Sequence, residues 1–161
     1  MSKMLRSHAT DESDLDFVMA AQAKPEISSW ITCWSHDEHL ASFGNPDIRH
    51  ITYSTANEPV AFVILAGLQN INRSIEFARI AVAEPGKGIG RTILEEVIDL
   101  AFGELNAHRL WLDVSPHNER ALRAYRKAGF VGEGVLRECQ LFANEWESLI
   151  IMSILEQERS G

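Results

Sequence analysis

A glycine-rich turn in front of a helix is the stretch of the sequence with the clearest chemical potential. Residues 84–97, EPGKGIGRTILEEV, place three glycines and Lys87 directly before an apolar helical repeat. Glycines let a ligand approach backbone amides closely, and a helix N-terminus attracts anions. The pattern therefore predicts one of two things: a site for an anion such as a pyrophosphate, or only a tight strand-to-helix turn.

Two common phosphate-binding motifs do not fit this turn. A Walker loop requires GxxxxGK followed by Ser or Thr, and GKGIGRT does not supply that spacing. The dinucleotide pattern GxGxxG requires a glycine at position 91, where the chain has Arg91.

A second group of candidate residues lies on a helix predicted from about residue 117 to 128. Asn118 and Tyr125 are seven residues apart, which places them on one helix face, ~10 Å apart along the axis. An extended ligand could contact both side chains. Asn118 could instead only cap the helix, and Tyr125 could fill a seam between helix and sheet.

The elements that must position these residues follow the order β-α-α-β-β-β-α-β-α-β-β, an α/β (α+β) mixed sheet flanked by helices. Short turns join the strands predicted at 48–55, 59–69 and 74–82, which indicates an antiparallel meander. The strand at 108–114 follows a helix, so we expect it to run parallel to the preceding strand as a βαβ crossover. No linker or repeat divides the chain, and we predict a single domain over 1–161.

The N-terminal half carries helix-boundary signals. Thr10 or Asp11 is expected to cap a first helix, and Pro25 limits how far that helix continues. Ser35 with Glu38 three residues later predicts a capping box for a short second helix.

With both motifs in this order and a strand between them, the sequence resembles the GNAT family of N-acetyltransferases. The resemblance covers nearly the whole chain and is strongest from IEFARIAV through GKGIGRTILEEVIDLAF to NERALRAYRKAGF. Within the family, the sequence is most similar to the branch of ribosomal-protein N-terminal and spermidine acetyltransferases.

The resemblance implies the GNAT fold and an N-acetyltransferase that moves an acetyl group from acetyl-CoA to a primary amine in a ternary complex. The amine would belong to a protein N-terminus, a polyamine or another small molecule. The alternative is a non-catalytic acetyl-CoA-binding regulatory module on the same fold.

The resemblance also implies which residues hold acetyl-CoA, with the pyrophosphate at the glycine turn and the pantetheine arm along the preceding strand. These residues are Ile80, Ala81, Val82, Gly86, Lys87, Gly88, Ile89, Gly90, Arg91, Asn118 and Tyr125. Pro85 stands where the usual loop carries Arg or Gln, and the loop is shorter than usual. Arg123, Arg126 and Lys127 either contact a phosphate or form a solvated helix face.

Tyr125 is the expected general acid, because a phenol with a pKa near 10 keeps its proton at neutral pH and can give it to a departing thiolate. Glu76, on the strand that leads to Val82, is the candidate general base. A chain of water molecules could do the same work, and Glu76 could instead face solvent or pair with Arg73 or Arg79.

Composition limits the expected partners. The 15 Lys and Arg residues against 23 Asp and Glu residues give a formal net charge of −8, which argues against a general nucleic-acid binder. An acidic surface is compatible with a cationic acceptor, and equally with a need for solubility.

The sequence has no apolar run of ~20 residues and no secretory h-region. We therefore expect a cytoplasmic protein without a membrane segment and with Cys33 and Cys139 reduced.

His36 and His39 are spaced as two metal ligands on a helix could be, but HExxH is absent and no third ligand is evident. We therefore expect a surface helix and no metal.

The resemblance implies that Trp30, Trp34 and Phe43 lie near one wall of the acceptor pocket, although core packing is an alternative for them. Two terminal strands with open edges leave room for a homodimer.

Overall fold

The structure, a computed structural model, describes residues 4–159. Residues 1–3, at which the predicted non-secretory N-terminus begins, lie outside the described residues. Within the described part, no helix is both long and apolar enough to cross a membrane.

Seven strands form one mixed sheet within residues 4–159. The strands are β1 (Leu5–Ala9), β2 (Ile48–Thr55), β3 (Glu58–Ala66), β4 (Ser74–Val82), β5 (Arg109–Val114), β6 (Val131–Phe142) and β7 (Glu145–Leu155). The α-helices are α1 (Leu15–Gln22), α2 (Pro25–Ser28), α3 (His36–Ser42), α4 (Ile89–Phe102) and α5 (Glu119–Ala128). The predicted fold class and element order are confirmed, apart from α2, which was not expected.

The sheet runs in the order β1-β2-β3-β4-β5-β7-β6. Strands β1, β2 and β3 pair antiparallel, as do β5, β7 and β6. The β4–β5 pairing is parallel, with Ser74–Glu76 opposite Arg109–Trp111. The predicted βαβ crossover is therefore confirmed.

The described chain divides into two compact units. The first takes in the described residues up to Gln69 together with Phe77–Gly90, and the second takes in Asn70–Glu76 together with the described residues from Arg91 onward. The prediction of a single domain over residues 1–161 stays a prediction.

The first unit is built on a small apolar cluster to which α1, β3 and β4 contribute. The buried members are Val18, Ala21, Phe62, Ile64 and Ala81. In the second unit, the buried side of α4 presents Ile93, Leu94, Val97, Ile98, Ala101 and Phe102. This is the three-to-four residue spacing expected of an amphipathic helix.

Local signals explain the helix boundaries in the first unit. Asp11 caps a short 3₁₀ turn before α1, and Ser35 and Glu38 form the predicted capping box of α3. Pro25 occupies the first position of α2, where its missing N–H costs no helical hydrogen bond. Pro25, which was expected only to limit the first helix, therefore also begins α2.

The edge strand β6 carries several exposed apolar side chains. Val131, Val135, Leu136 and Leu141 are all exposed, as is Trp146 on β7. An uncovered edge with apolar side chains is a surface that proteins commonly cover with a partner. The homodimer suggested by the sequence stays a prediction.

A chain of hydrogen bonds runs through the interior of the first unit. Thr52 Oγ1 lies 2.8 Å from Thr10 Oγ1, and Thr10 Oγ1 lies 2.8 Å from His50 Nδ1. His50 Nε2 then lies 3.0 Å from His39 Nδ1, and His39 Nε2 lies 2.8 Å from Gln22 Oε1. All five side chains are buried. We call this set the buried polar chain.

The direction of every bond in the buried polar chain follows from its last member. The Gln22 amide donates from Nε2 to the Trp34 carbonyl at 2.7 Å, so its Oε1 must accept from His39. A neutral His39 that donates from Nε2 has a bare Nδ1, which accepts from His50 Nε2. His50 Nδ1 then accepts from a threonine hydroxyl, and both rings are neutral Nε2–H tautomers.

Burial keeps both rings neutral. Desolvation, and secondarily the neighbouring His39, lowers the pKa of His50 to about 4, while Asp14 opposes the shift. The pKa of His39 is also lowered, chiefly by desolvation. The folded protein therefore resists a proton that an unfolded chain would accept below about pH 6.5.

We predict that stability falls as the pH drops from about 6.5 to about 4, with His50 alone contributing a loss of about 3 kcal/mol. Urea unfolding at pH values across this interval measures the loss. His50→Gln should flatten the curve, whereas His117→Gln, a change at an exposed position, serves as the control. A His50→Gln variant as acid-sensitive as the parent would assign the loss to other groups.

Candidate functional site

The glycine turn connects the end of β4 to the start of α4. Gly86 has φ 92° and Gly88 has φ 77°, in the left-handed region that side chains other than glycine avoid. These two glycines are required by the turn itself, whether or not a ligand binds there.

Gly90 is different, because neither the backbone nor the packing requires it. It lies within α4 and its φ is not positive. A Cβ added there would meet Val82 Cγ2 at 3.7 Å, an ordinary contact. In a helix interior glycine costs roughly 0.5–1 kcal/mol relative to alanine, which is an upper limit for Gly90 in the first turn of α4. Among the three glycines, this one is the best indicator of a close approach by a ligand.

Two lysines and one carboxylate surround the turn. Lys87 Nζ lies 2.6 Å from a carboxylate oxygen of Glu84, and this contact lowers the pKa of Glu84. Lys24, at the start of α2, donates to the Ala83 carbonyl at 2.7 Å. Both lysines are exposed, so either could exchange its present partner for an anion. Lys24 carries no sequence signal for this role, because it lies 59 residues from Ala83.

Strand β4 supplies the residues predicted to contact the pantetheine arm. Ala81 is fully buried in the apolar cluster, while Ile80 and Val82 are half-buried. Ala78, three residues before Ala81, packs on the same cluster. Along β4, Glu76, Ala78, Ile80 and Val82 are all half-buried, whereas Ile75, Phe77 and Ala81 are buried.

In the second unit, Asn118 caps α5. Its Oδ1 accepts a hydrogen bond from Ala121 N at 3.3 Å, as the capping alternative predicted. Helix α5 ends at Gly129, which has φ 112°, in agreement with the sequence. The contact between Asn118 and a pantetheine arm stays a prediction.

Tyr125 lies two turns along α5 and is held by the residues that follow the helix. Its ring packs edge-on against Phe130 at 5.6 Å, and its carbonyl accepts from Phe130 N at 3.0 Å. Desolvation, aided by the charge of Asp113 on β5, raises the pKa of Tyr125 to about 12. Tyr125 as a whole is half-buried, and the desolvation acts on its phenol group. A phenol with a raised pKa keeps its proton throughout the neutral range, and it is a weaker acid than an unperturbed tyrosine.

The other predicted site residues in the second unit are half-buried or exposed. Glu76 is half-buried and lies opposite Trp111 in the parallel β4–β5 pairing. Arg91 pairs with Glu95 at 3.3 Å on its own helix, an exposed pair of small energetic value.

A surface groove beside α5 is lined by Pro116, Glu119, Leu122, Arg123 and Arg126.

The histidines of α3 do not form a metal site. Helix α3 lies at the surface, as expected, with His36 exposed and with His39 on its inner face, buried in the polar chain. Within residues 4–159 no group of three or more His, Cys, Asp or Glu side chains could hold a metal ion.

Comparisons with known proteins agree with this description. A family model described as the acetyltransferase (GNAT) family matches residues 15–130. The spermidine N(1)-acetyltransferase of Vibrio cholerae is 28% identical over 98% of this chain and 96% of that protein. The spermidine N(1)-acetyltransferase of Escherichia coli K12 is 30% identical over 76% of this chain and 65% of that protein.

The fold has a similar counterpart among solved structures. The crystal structure of spermidine N-acetyltransferase from Vibrio cholerae in complex with CoA and spermine matches with a TM-score of 0.85 and 29% sequence identity. The match covers 96% of this chain and 96% of that one.

Proposed function

The chain belongs to the acetyltransferase (GNAT) family and is an N-acetyltransferase that uses acetyl-CoA, and from this premise we propose that its acceptor is a polyamine of the spermidine type. The observation that carries the proposal is the similarity, over nearly the full length of both chains, to a spermidine N(1)-acetyltransferase. The relatives are enzymes, so the non-catalytic alternative loses its support.

Charge is consistent with a polyamine acceptor. The chain carries a formal net charge of −8, and a polyamine carries several positive charges at neutral pH. An acidic protein raises the local concentration of such a cation and speeds its capture. This attraction should weaken as salt is added, because exposed charges are screened within about 8 Å at physiological ionic strength.

We assign acetyl-CoA binding to Ile80, Ala81, Val82, the turn from Gly86 to Arg91, Asn118 and Tyr125. The best structural support is Gly90, which has no conformational or packing reason to be glycine. Lys87 supports the assignment too, because its present partner Glu84 is exposed and replaceable. Backbone amides at the start of α4 supply the remaining donors for a pyrophosphate.

The chemistry requires a neutral amine and a protonated leaving thiol. The acceptor nitrogen attacks the thioester carbonyl carbon, the carbon–sulfur bond breaks, and the proton of Tyr125 Oη passes to the sulfur. The attacking nitrogen then loses its excess proton to solvent to give the neutral amide, and solvent returns a proton to the Tyr125 phenolate. An amine with a pKa near 10.4 must first lose its own proton at a cost of about 4.6 kcal/mol at pH 7. Glu76 or a chain of water molecules receives that proton.

The identity of the acceptor is tested with a panel of amines at a fixed concentration of acetyl-CoA. The rate of each reaction is measured from the free thiol that it releases. Spermidine and spermine should give kcat/KM values at least about tenfold above those of an N-terminal peptide and an aminoglycoside. An N-terminal peptide as the best acceptor would overturn the polyamine proposal and leave the enzyme class intact.

The cofactor assignment predicts that Gly90→Ala weakens acetyl-CoA binding at least about tenfold without loss of stability, because the added methyl group blocks the approach of the ligand and strains nothing in the protein. Calorimetric titration with CoA measures the affinity. Gly132→Ala, at an open position on β6, is the matched control. Gly88→Val is a poorer test, because the positive φ of Gly88 would strain any side chain.

The acid assignment predicts that Tyr125→Phe lowers kcat by ~10²–10⁴, the usual value of a positioned general acid. KM for acetyl-CoA should stay nearly constant, because the lost interaction forms mainly in the transition state. The loss should shrink with an acyl donor whose thiol is more acidic. Wild-type turnover by Tyr125→Phe would remove the phenol from the chemistry.

A further inference from the structure

We propose that Lys24 is a further residue that binds the pyrophosphate of acetyl-CoA, and that the Glu84 carboxylate is an internal anion which this pyrophosphate displaces. The inference rests on the proposed function, in which the glycine turn binds the cofactor. It adds one binding residue from outside the turn and one competing group within the turn.

The backbone of Lys24 is held at the junction of α1 and α2. Its carbonyl accepts hydrogen bonds from Ile27 N at 2.9 Å and from Ser28 N at 2.8 Å, and its own N–H donates to the Ala21 carbonyl at 3.3 Å. Pro25 follows, and a proline restricts the backbone of the residue before it. Because the main chain is already fixed, less conformational entropy is lost when the side chain is directed to one place.

The side chain of Lys24 reaches the first residue after β4. Its Nζ donates to the Ala83 carbonyl at 2.7 Å, and Ala83 N in turn donates to the Val60 carbonyl of β3 at 2.9 Å. An ammonium group has three N–H donors, and this contact uses one of them. Since Lys24 is exposed, its other donors are accessible to an anion while the contact with Ala83 is kept.

The glycine turn is positively charged although the chain as a whole is acidic. Lys87 Nζ lies 2.6 Å from Glu84 Oε2, and this hydrogen bond and, less strongly, the charge of Lys24 lower the pKa of Glu84. Two ammonium groups and one carboxylate leave a local excess of positive charge in a chain whose formal net charge is −8. A Cβ added to Gly86 or Gly88 would meet no other described part of the chain within 4 Å, apart from its sequence neighbours. The turn is therefore both open and attractive to an anion.

Glu84 has the properties of a replaceable group. Glu84 and Lys87 are both exposed, and an exposed ion pair contributes little to stability. A phosphate oxygen accepts from the same lysine donors as a carboxylate oxygen, and a pyrophosphate carries more negative charge and more acceptor atoms. The pyrophosphate can therefore take the place of Glu84 at Lys87 while Lys24 stays bound to Ala83.

Calorimetric titration of the full-length enzyme with CoA tests the role of Lys24. Lys24→Met should weaken CoA binding about tenfold, because a charge-assisted hydrogen bond to the pyrophosphate is lost. Lys24→Arg keeps the positive charge and should recover most of the affinity. Arg6→Met removes one positive charge from an exposed position on β1, and as the matched control it should leave the affinity unchanged.

Salt separates a contact with the ligand from a purely structural role of Lys24. If the ammonium meets the pyrophosphate, added salt screens the attraction, so the difference in CoA affinity between the parent enzyme and Lys24→Met should shrink as salt is added. If Lys24 only shapes the turn through Ala83, that difference should stay constant. A constant difference would overturn the proposal.

Glu84→Gln should change the affinity in the opposite direction. Removal of the competing negative charge should tighten CoA binding about threefold, because the ion pair with Lys87 no longer has to be broken. Glu58→Gln removes the same charge at an exposed position at the start of β3 and is the control. Unchanged or weaker binding by Glu84→Gln would show that Glu84 does not compete with the ligand.

The Gly90→Ala variant separates failure of this inference from failure of the cofactor assignment. Weaker CoA binding by Gly90→Ala together with unchanged binding by Lys24→Met would show that Lys24 does not contact the pyrophosphate, while the assignment of the turn stands. Unchanged binding by both variants would overturn the assignment of the turn as well. The titrations contain no amine, so they are independent of whether the acceptor is a polyamine.

Discussion

The organisation of the first unit depends on one requirement, that a buried hydrogen-bonding group must find a partner of the opposite kind. The Trp34 carbonyl can only accept, and that fact propagates through Gln22, His39 and His50 to two threonine hydroxyls. Residues from α1, α3 and β2 are joined in one directed series. A substitution at any member leaves its neighbours without a partner, which typically costs 1–3 kcal/mol for each orphaned group.

The same requirement determines how one irregular segment of the first unit is held. The irregular backbone after α2 forms few hydrogen bonds of its own, so side chains from elsewhere in the first unit must supply them. Arg79 and Gln22 do this from β4 and α1. The family fold supplies the sheet and helices, and these particular contacts determine how one connecting segment is presented.

Much of the fold could be predicted from the sequence because the signals are local. Alternation in IRHITYST gave β2 at Ile48–Thr55, and the Ser35–Glu38 capping box gave the start of α3. Other features depend on residues far apart in the chain. His39 was expected on a surface helix because nothing near it shows that His50 lies opposite, and the contact from Lys24 to Ala83 has no local signature.

The candidate site divides in the same way. The glycine turn, Asn118 and Tyr125 were identified from spacing and resemblance, and the structure places them at a strand-to-helix turn and along α5 as expected. The sequence could not show that two of the glycines serve the turn and the third does not, because φ depends on the folded path of the chain. Nor could it show that desolvation, and secondarily Asp113, would raise the pKa of the Tyr125 phenol.

The cofactor assignment proposed for Gly90 sets thermal tolerance against catalysis in this chain. Alanine at that position would suit the helix and fit the space, so a selection for heat resistance alone should favour it. A natural chain that keeps glycine there gives up at most roughly 0.5–1 kcal/mol, the value for a helix interior, out of the 5–15 kcal/mol that usually separates folded from unfolded protein. Efforts to make this enzyme more robust should therefore leave the first turn of α4 untouched and seek their gains elsewhere in the chain.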